Sequence, residues 1–116
     1  MEKILEDICA LRGVTGALIV TKDGLPIDNR GNFKNEPELV GAGISEMFTA
    51  ADTMTSERFQ TGHPREIVVT AEKHLSFVFD VNDDMILAVV ADDSANIGLV
   101  LLECRRAVKM LAEEEL

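Results

Sequence analysis

The sequence predicts an α+β fold: a three-layer α/β/α sandwich on an antiparallel five-stranded sheet of order 2-1-5-4-3, with helix-β-β-helix-β-β-β-helix topology. Three observations carry this. Asp23-Gly24 stands between two apolar runs, and an Asp-Gly pair there marks a hairpin because glycine takes the positive φ the turn needs. The links between the later strands are only a few residues long, and links that short join antiparallel neighbours. Val14–Thr21 and Met85–Ala91 are apolar on both faces, so they need cover on both sides. That places them mid-sheet, with helices above and below.

Glu2–Arg12 reads as the first helix. Ile4, Leu5, Ile8 and Leu11 follow helical spacing, Glu2, Lys3, Glu6 and Asp7 lie opposite, and Gly13 ends it. In the strand that follows, Val14, Leu18 and Val20 are expected on one face and Ala17 and Ile19 on the other. Leu25–Arg30 returns antiparallel. Pro26 has no amide proton to give a ladder, so this strand belongs at an edge. Gly31, Asn32 and Asn35 mark a loop.

A long second helix is expected over Glu36–Arg58, with Asn35 as N-cap and Pro37 in the first turn. Val40, Ile44, Met47, Phe48, Ala51 and Met54 make a broad apolar stripe, while Gly41, Ala42, Gly43, Ser45 and Ala50 keep the helix surface low. Each internal glycine costs about 1 kcal/mol relative to alanine. That cost points to a close neighbour: the chain's own sheet, another helix or a partner chain.

A turn at Thr61–Pro64 leads into three strands. Arg65–Glu72 alternates Ile67, Val69 and Ala71 against Val68 and Thr70. Leu75–Val81 turns Leu75, Phe77, Phe79 and Val81 inward, with Val78 the exception, and Asn82-Asp83-Asp84 links it to Met85–Ala91. Asp92-Asp93-Ser94 precedes the last helix, with Ser94 or Asp93 as N-cap, and Ile97, Val100, Leu101, Cys104, Val108 and Leu111 form its stripe. Glu113–Glu115 oppose the helix dipole and favour fraying.

At 116 residues the chain is expected to form one domain, 1–116, able to bury roughly two thirds of its unfolded surface. With five Phe and no Trp or Tyr, its core must be aliphatic. A formal net charge of −10 repels phosphate backbones and anionic membranes, so neither nucleic acid nor a membrane is an expected partner. Cys9 and Cys104 do not make a disulfide framework, and no signal segment or membrane-length apolar run is evident, so the expected location is cytoplasmic. The two cysteines read as small buried apolar groups, close together if the first and last helices lie side by side.

Little in the chain points to catalysis. It lacks the Gly-x-x-x-x-Gly-Lys-Ser/Thr loop, Gly-x-Gly-x-x-Gly, Cys-x-x-Cys and zinc-type histidine spacing, so no cofactor or metal is expected. His63 and His74 sit at element ends, and pairing either with Ser56, Ser76 or Ser94 as a nucleophile has no support in spacing. Asp83-Asp84 and Asp92-Asp93 read as turn and cap residues, because hard-cation loops space their oxygens more widely. Arg58 and Arg65 read as solvated or structural, with an arginine acting in trans on a GTPase as the functional alternative. No enzyme is expected. The features left over describe an interaction surface. Methionine is adaptable at binding faces, which fits Met47 and Met54. The third strand, if at an edge, exposes unpaired backbone along Ile67, Val68 and Val69, a hazard unless a twin strand pairs with it.

Three segments resemble the Roadblock family, that of the Roadblock-type dynein light chains and their bacterial and archaeal relatives. They are Leu11-Arg12-Gly13-Val14-Thr15-Gly16-Ala17-Leu18-Ile19-Val20 running into Asp23-Gly24-Leu25-Pro26-Ile27, the Ala/Gly-rich helix from Gly41 to Ala51, and the meander Ile67–Val90 followed by Asn96-Ile97-Gly98. The resemblance implies a three-layer sandwich that forms a homodimer through the second helix and third strand. It also implies service to a small Ras-like GTPase, as activator of hydrolysis, exchange-promoting scaffold or localisation platform. Other members are dynein subunits, and the bacterial gliding-polarity regulator stimulates its GTPase. No catalytic residue carries over to a position here. On this basis the dimer contact is expected at Val40, Gly41, Gly43, Ile44, Met47, Ala50, Met54, Ile67, Val68 and Val69. Glu46, Met47, Ala50, Met54 and Arg58 are expected to present the GTPase-docking face. The alternative is a small-ligand sensor, which would need an internal pocket, or another cytoplasmic interaction subunit without enzymatic activity.

Overall fold

The computed structural model describes residues 1–114. Its elements run α1 (Glu2–Cys9), β1 (Val14–Thr21), β2 (Pro26–Gly31), α2 (Pro37–Asp52), a π-helical segment (Thr53–Arg58), β3 (Glu66–Thr70), β4 (His74–Asp80), β5 (Met85–Asp92) and α3 (Ile97–Glu114). The five strands form one antiparallel sheet of order β2-β1-β5-β4-β3. The two double-faced strands, β1 and β5, lie side by side in its centre, and Pro26 falls on an edge, as its missing N–H requires.

Both faces of the sheet are covered, unequally. On one side α1 and α3 close over Ala17, Ile19, Phe77, Phe79, Leu87 and Val89, contributing Leu5, Ile8, Val100, Cys104, Ala107 and Leu111. On the other side α2 supplies Ile44 and Phe48 against Leu18, Val20, Val78, Ile86 and Ala88. Val78, the exception in the alternation of β4, belongs to this second layer. Both cysteines are free thiols, and burial pushes the Cys104 thiol up to about 12, so it stays protonated and acts as a small apolar group.

Several local expectations are corrected. Val14 packs with Ala17 and Ile19 rather than with Leu18 and Val20, because the β1–β5 register shifts between Val14 and Gly16 and turns the first residue over. The first helix stops at Cys9, not Arg12, and the Leu11 amide turns back to the Ile8 carbonyl at 3.1 Å. The early stop lets Gly13 approach the β5–α3 link. It holds φ +87°, and a Cβ there would lie 2.5 Å from the Ala95 backbone nitrogen. The N-cap of α2 is Glu36, not Asn35, with Pro37 in the first turn.

The long second helix is α-helical only to Asp52. The Ser56 hydroxyl donates to the Asp52 carbonyl at 2.6 Å, and the Phe59 amide reaches back five residues to Met54 at 2.8 Å. A side chain taking a ladder carbonyl accounts for the change of pitch. At α3 the cap is Asn96 rather than Ser94 or Asp93. Asn96 Oδ1 accepts from the Leu99 amide at 3.0 Å, while Asp92 Oδ1 accepts from the Ser94 amide at 2.9 Å in a preceding turn. Of the acidic residues at the end of α3, Glu114 receives the Met1 ammonium at 2.6 Å and Glu115 lies outside the described residues.

Candidate functional site

α2 is fastened to the β1–β2 end of the sheet. Gly41 lets its backbone lie on the hairpin turn: a Cβ at Gly41 would stand 2.2 Å from the Gly24 carbonyl oxygen. Ser45 Oγ donates to the Lys22 carbonyl at 2.6 Å. The Lys22 ammonium pairs with Asp80 and lies 4.5 Å from the Phe48 ring centroid, a cation–π contact that ties the hairpin, β4 and the helix together.

The β3–β4 end of the same face is left open. Between α2 and the sheet runs a groove of about 240 Å³, walled by Val40, Gly43, Ile44 and Met47 and floored by Val69, Val78 and Ala88. It ends at β3, which bonds to β4 on one side and, among the described residues, to no strand on the other. Ile67 and Val69 face the groove side of β3. Glu66 faces α3, where Arg105 holds it in a bidentate pair at 2.7 and 2.8 Å. That pair keeps the Glu66 carboxyl below its usual range. Alternation then puts Val68 on the α3 side, 46% exposed.

The residues expected at the contact therefore divide. Val40, Gly43, Ile44, Met47 and Val69 meet in the groove, Ile67 borders it, and Val68 points to the opposite face. Gly41 is buried against the hairpin and is spent within the chain, whereas a Cβ at Gly43 would meet nothing within 4 Å. Glu46, Ala50, Met54 and Arg58 are all exposed and recur every fourth residue along the outside of α2 and its π-helical continuation. Sequence reasoning missed Leu39 and Phe59, 62% and 65% exposed, which extend the apolar surface at the two ends of this helix. It also missed Phe33 at the end of the groove. An aromatic standing alone in the polar loop Gly31–Asn35 was the available signal.

The titratable groups near the helix end do not make a nucleophilic site. His63 Nδ1 meets Asp52 Oδ1 at 2.6 Å, and Ser56 Oγ lies 3.3 Å from the same oxygen. Asp52 thus stands between serine and histidine, so no imidazole faces the hydroxyl to take its proton. The hydrogen bond from His63 lowers the Asp52 carboxyl below its usual range, and the carboxylate raises the His63 imidazole. His74 lies apart, on β4. Among the described residues no group of three or more His, Cys, Asp or Glu could hold a metal ion, and no helix is long and apolar enough to cross a membrane.

The fold is thus a small α/β/α sandwich with one half-covered face and an open strand edge. The model of the Roadblock/LC7 domain family matches residues 1–91, and the chain belongs to that family. It is 28% identical over 111 residues to protein MJ1340 of Methanocaldococcus jannaschii, covering 96% of each chain. In structure it is similar to a Roadblock/LC7 domain from Streptomyces avermitilis, with a TM-score of 0.90 at 20% identity over 98% of this chain and 96% of that one. It is also similar to MglB in a tetrameric arrangement, with a TM-score of 0.89 at 19% identity over 97% of this chain and 85% of that one. At these identities the structural likeness speaks for the fold.

Proposed function

We propose that the whole chain acts as one Roadblock domain, a non-catalytic regulatory module of the cytoplasm, which joins a second copy through α2 and β3. The paired α2 surfaces then dock a small Ras-like GTPase. The observation that carries this reading is the open groove beside an unpaired apolar strand. Val69 is 39% exposed on a groove whose other wall is a helix with a glycine turned to empty space. A second β3 laid against the first would pair the free ladder, and a second α2 would cover the apolar floor. The family membership and the tetrameric arrangement of MglB favour self-association. The exposed row Glu46, Ala50, Met54 and Arg58 supplies a low, mixed surface for a further partner.

Gly43→Leu puts a bulky side chain into the space the second helix needs. Light scattering is expected to show the twofold mass of the parent chain falling toward that of one chain, and an unchanged dimer would remove the contact assignment. The GTPase half is tested separately, by mixing the parent chain with a GTPase carrying the Gly-x-x-x-x-Gly-Lys-Ser/Thr loop. Complex formation and GTP turnover are followed with each nucleotide loaded. Absence of a complex with either form, from a chain that still dimerises, would leave the module without its proposed partner.

A further inference from the structure

Adjoining the open groove and sharing Phe33 and Val90 with it, the fold gathers a second pocket at the Thr15 end of β1, about 490 Å³ in volume, within the range of small-molecule sites. Thr15, the loop residues Asn32, Phe33 and Lys34, Lys73 of the β3–β4 turn, His74 at the start of β4, and Val90 line it. In a chain of net charge −10, this lining holds two of the eleven lysines and arginines and one of the two histidines, and no carboxylate. Among the described residues, Lys34, Lys73 and His74 enter no ion pair. The nearest acidic neighbour by register is Asp92, opposite His74. Its Oδ1 already accepts from the Ser94 amide at 2.9 Å and the Ser94 hydroxyl at 2.5 Å.

The aromatic wall is fixed by the backbone. The Phe33 ring occupies the space a side chain at Gly16 would need, since a Cβ there would lie 2.9 Å from Phe33 Cζ. Gly31 holds φ +86° with its Cα side pressed on the Thr15 carbonyl, and the Asn32 amide donates to that same carbonyl at 2.9 Å. Thr15 Oγ1 donates to the Val90 carbonyl at 3.2 Å. The loop that carries Phe33 and Lys34 is thereby pinned to the central strand before any ligand arrives, which lowers the ordering cost of binding.

We infer that this pocket binds a small phosphate ester of an apolar or aromatic alcohol, with the ester body against Phe33 and Val90 and the phosphate between Lys34, Lys73 and His74. Two ammonium groups and an imidazole suit a dianion, and their lysine stems add apolar contact to the ring wall. The pocket is built within one chain, and it meets the open groove at Phe33 and Val90, which line both. The test is titration of the isotope-labelled full chain with phenyl phosphate and with inorganic phosphate at fixed ionic strength, read by amide chemical shifts. Phenyl phosphate is expected to saturate with a Kd below about 1 mM, shifting the amides of Asn32–Lys34 and Lys73–His74, with inorganic phosphate about tenfold weaker. The double variant Lys34→Gln/Lys73→Gln, whose exposed changes leave the fold intact, is expected to weaken phenyl phosphate at least about tenfold. Shifts that never saturate, equal affinity for the two probes, or undiminished binding by the double variant would each overturn the assignment.

Discussion

On the α1/α3 side of the sheet, Leu5, Phe77, Leu87, Cys104 and Leu111 are withdrawn from solvent completely, and two helices share the work of covering them. On the α2 side one helix covers the hairpin end and stops short. Leu18, Val20 and Ile86 are buried there, while Val69 at the border remains open. The same strands serve both sides, so the difference comes from the covering elements. A closed face stores stability within one chain. A face left half-closed leaves apolar area in contact with water, and the proposed partner contact would cover it. The two glycines of α2 repeat the contrast two residues apart, since Gly41 is pressed on Gly24 and Gly43 faces empty space.

The contrast can be broken most forcefully on the closed side. Phe77→Ala is expected to cost about 3–5 kcal/mol in urea unfolding, the range for emptying an aromatic site in a filled core. A loss below about 1 kcal/mol would show that this side is no better packed than the other. A sharper comparison pairs the glycines. Gly41→Ala forces a methyl into the hairpin backbone and is expected to cost about 1–3 kcal/mol. Gly43→Ala, measured on dilute protein, is expected to gain up to about 1 kcal/mol from helix propensity alone. Equal effects at the two positions would dissolve the distinction.

The smallest effect belongs to the Asp52–His63 pair at the end of the open-side helix. Asp52 titrates lower in the fold than in the unfolded chain, so its contribution is present above the unfolded value and lost as pH falls through the folded one. His63 titrates higher in the fold, so its contribution is complete below the unfolded value and lost as pH rises through the folded one. The pair therefore contributes most between about pH 4 and pH 6.5. Following the His63 ring by NMR should show a titration above the ordinary imidazole value that returns to normal in Asp52→Asn. A ring that titrates identically in both proteins would remove the pair.

Periodicity and turn chemistry made most of this fold legible. The Asp23-Gly24 hairpin, the two-faced strands and the short strand links are local or nearly local facts, and they sufficed for the order β2-β1-β5-β4-β3 and for the placement of helices on both sides. They sufficed also to mark α2 and β3 as the elements with surface left over. What could not be read there depended on groups distant in sequence meeting in space. The bulge that turns Val14 over exists only against β5, and the early end of α1 answers to Ala95. Gly41 and Gly43 look alike in composition, and only the position of the hairpin turn separates their roles. Lys34 and Lys73 lie far apart along the chain, yet sheet closure sets them on one pocket. Local pattern fixes which backbone conformations are cheap, whereas contact between remote segments is settled by how the layers pack.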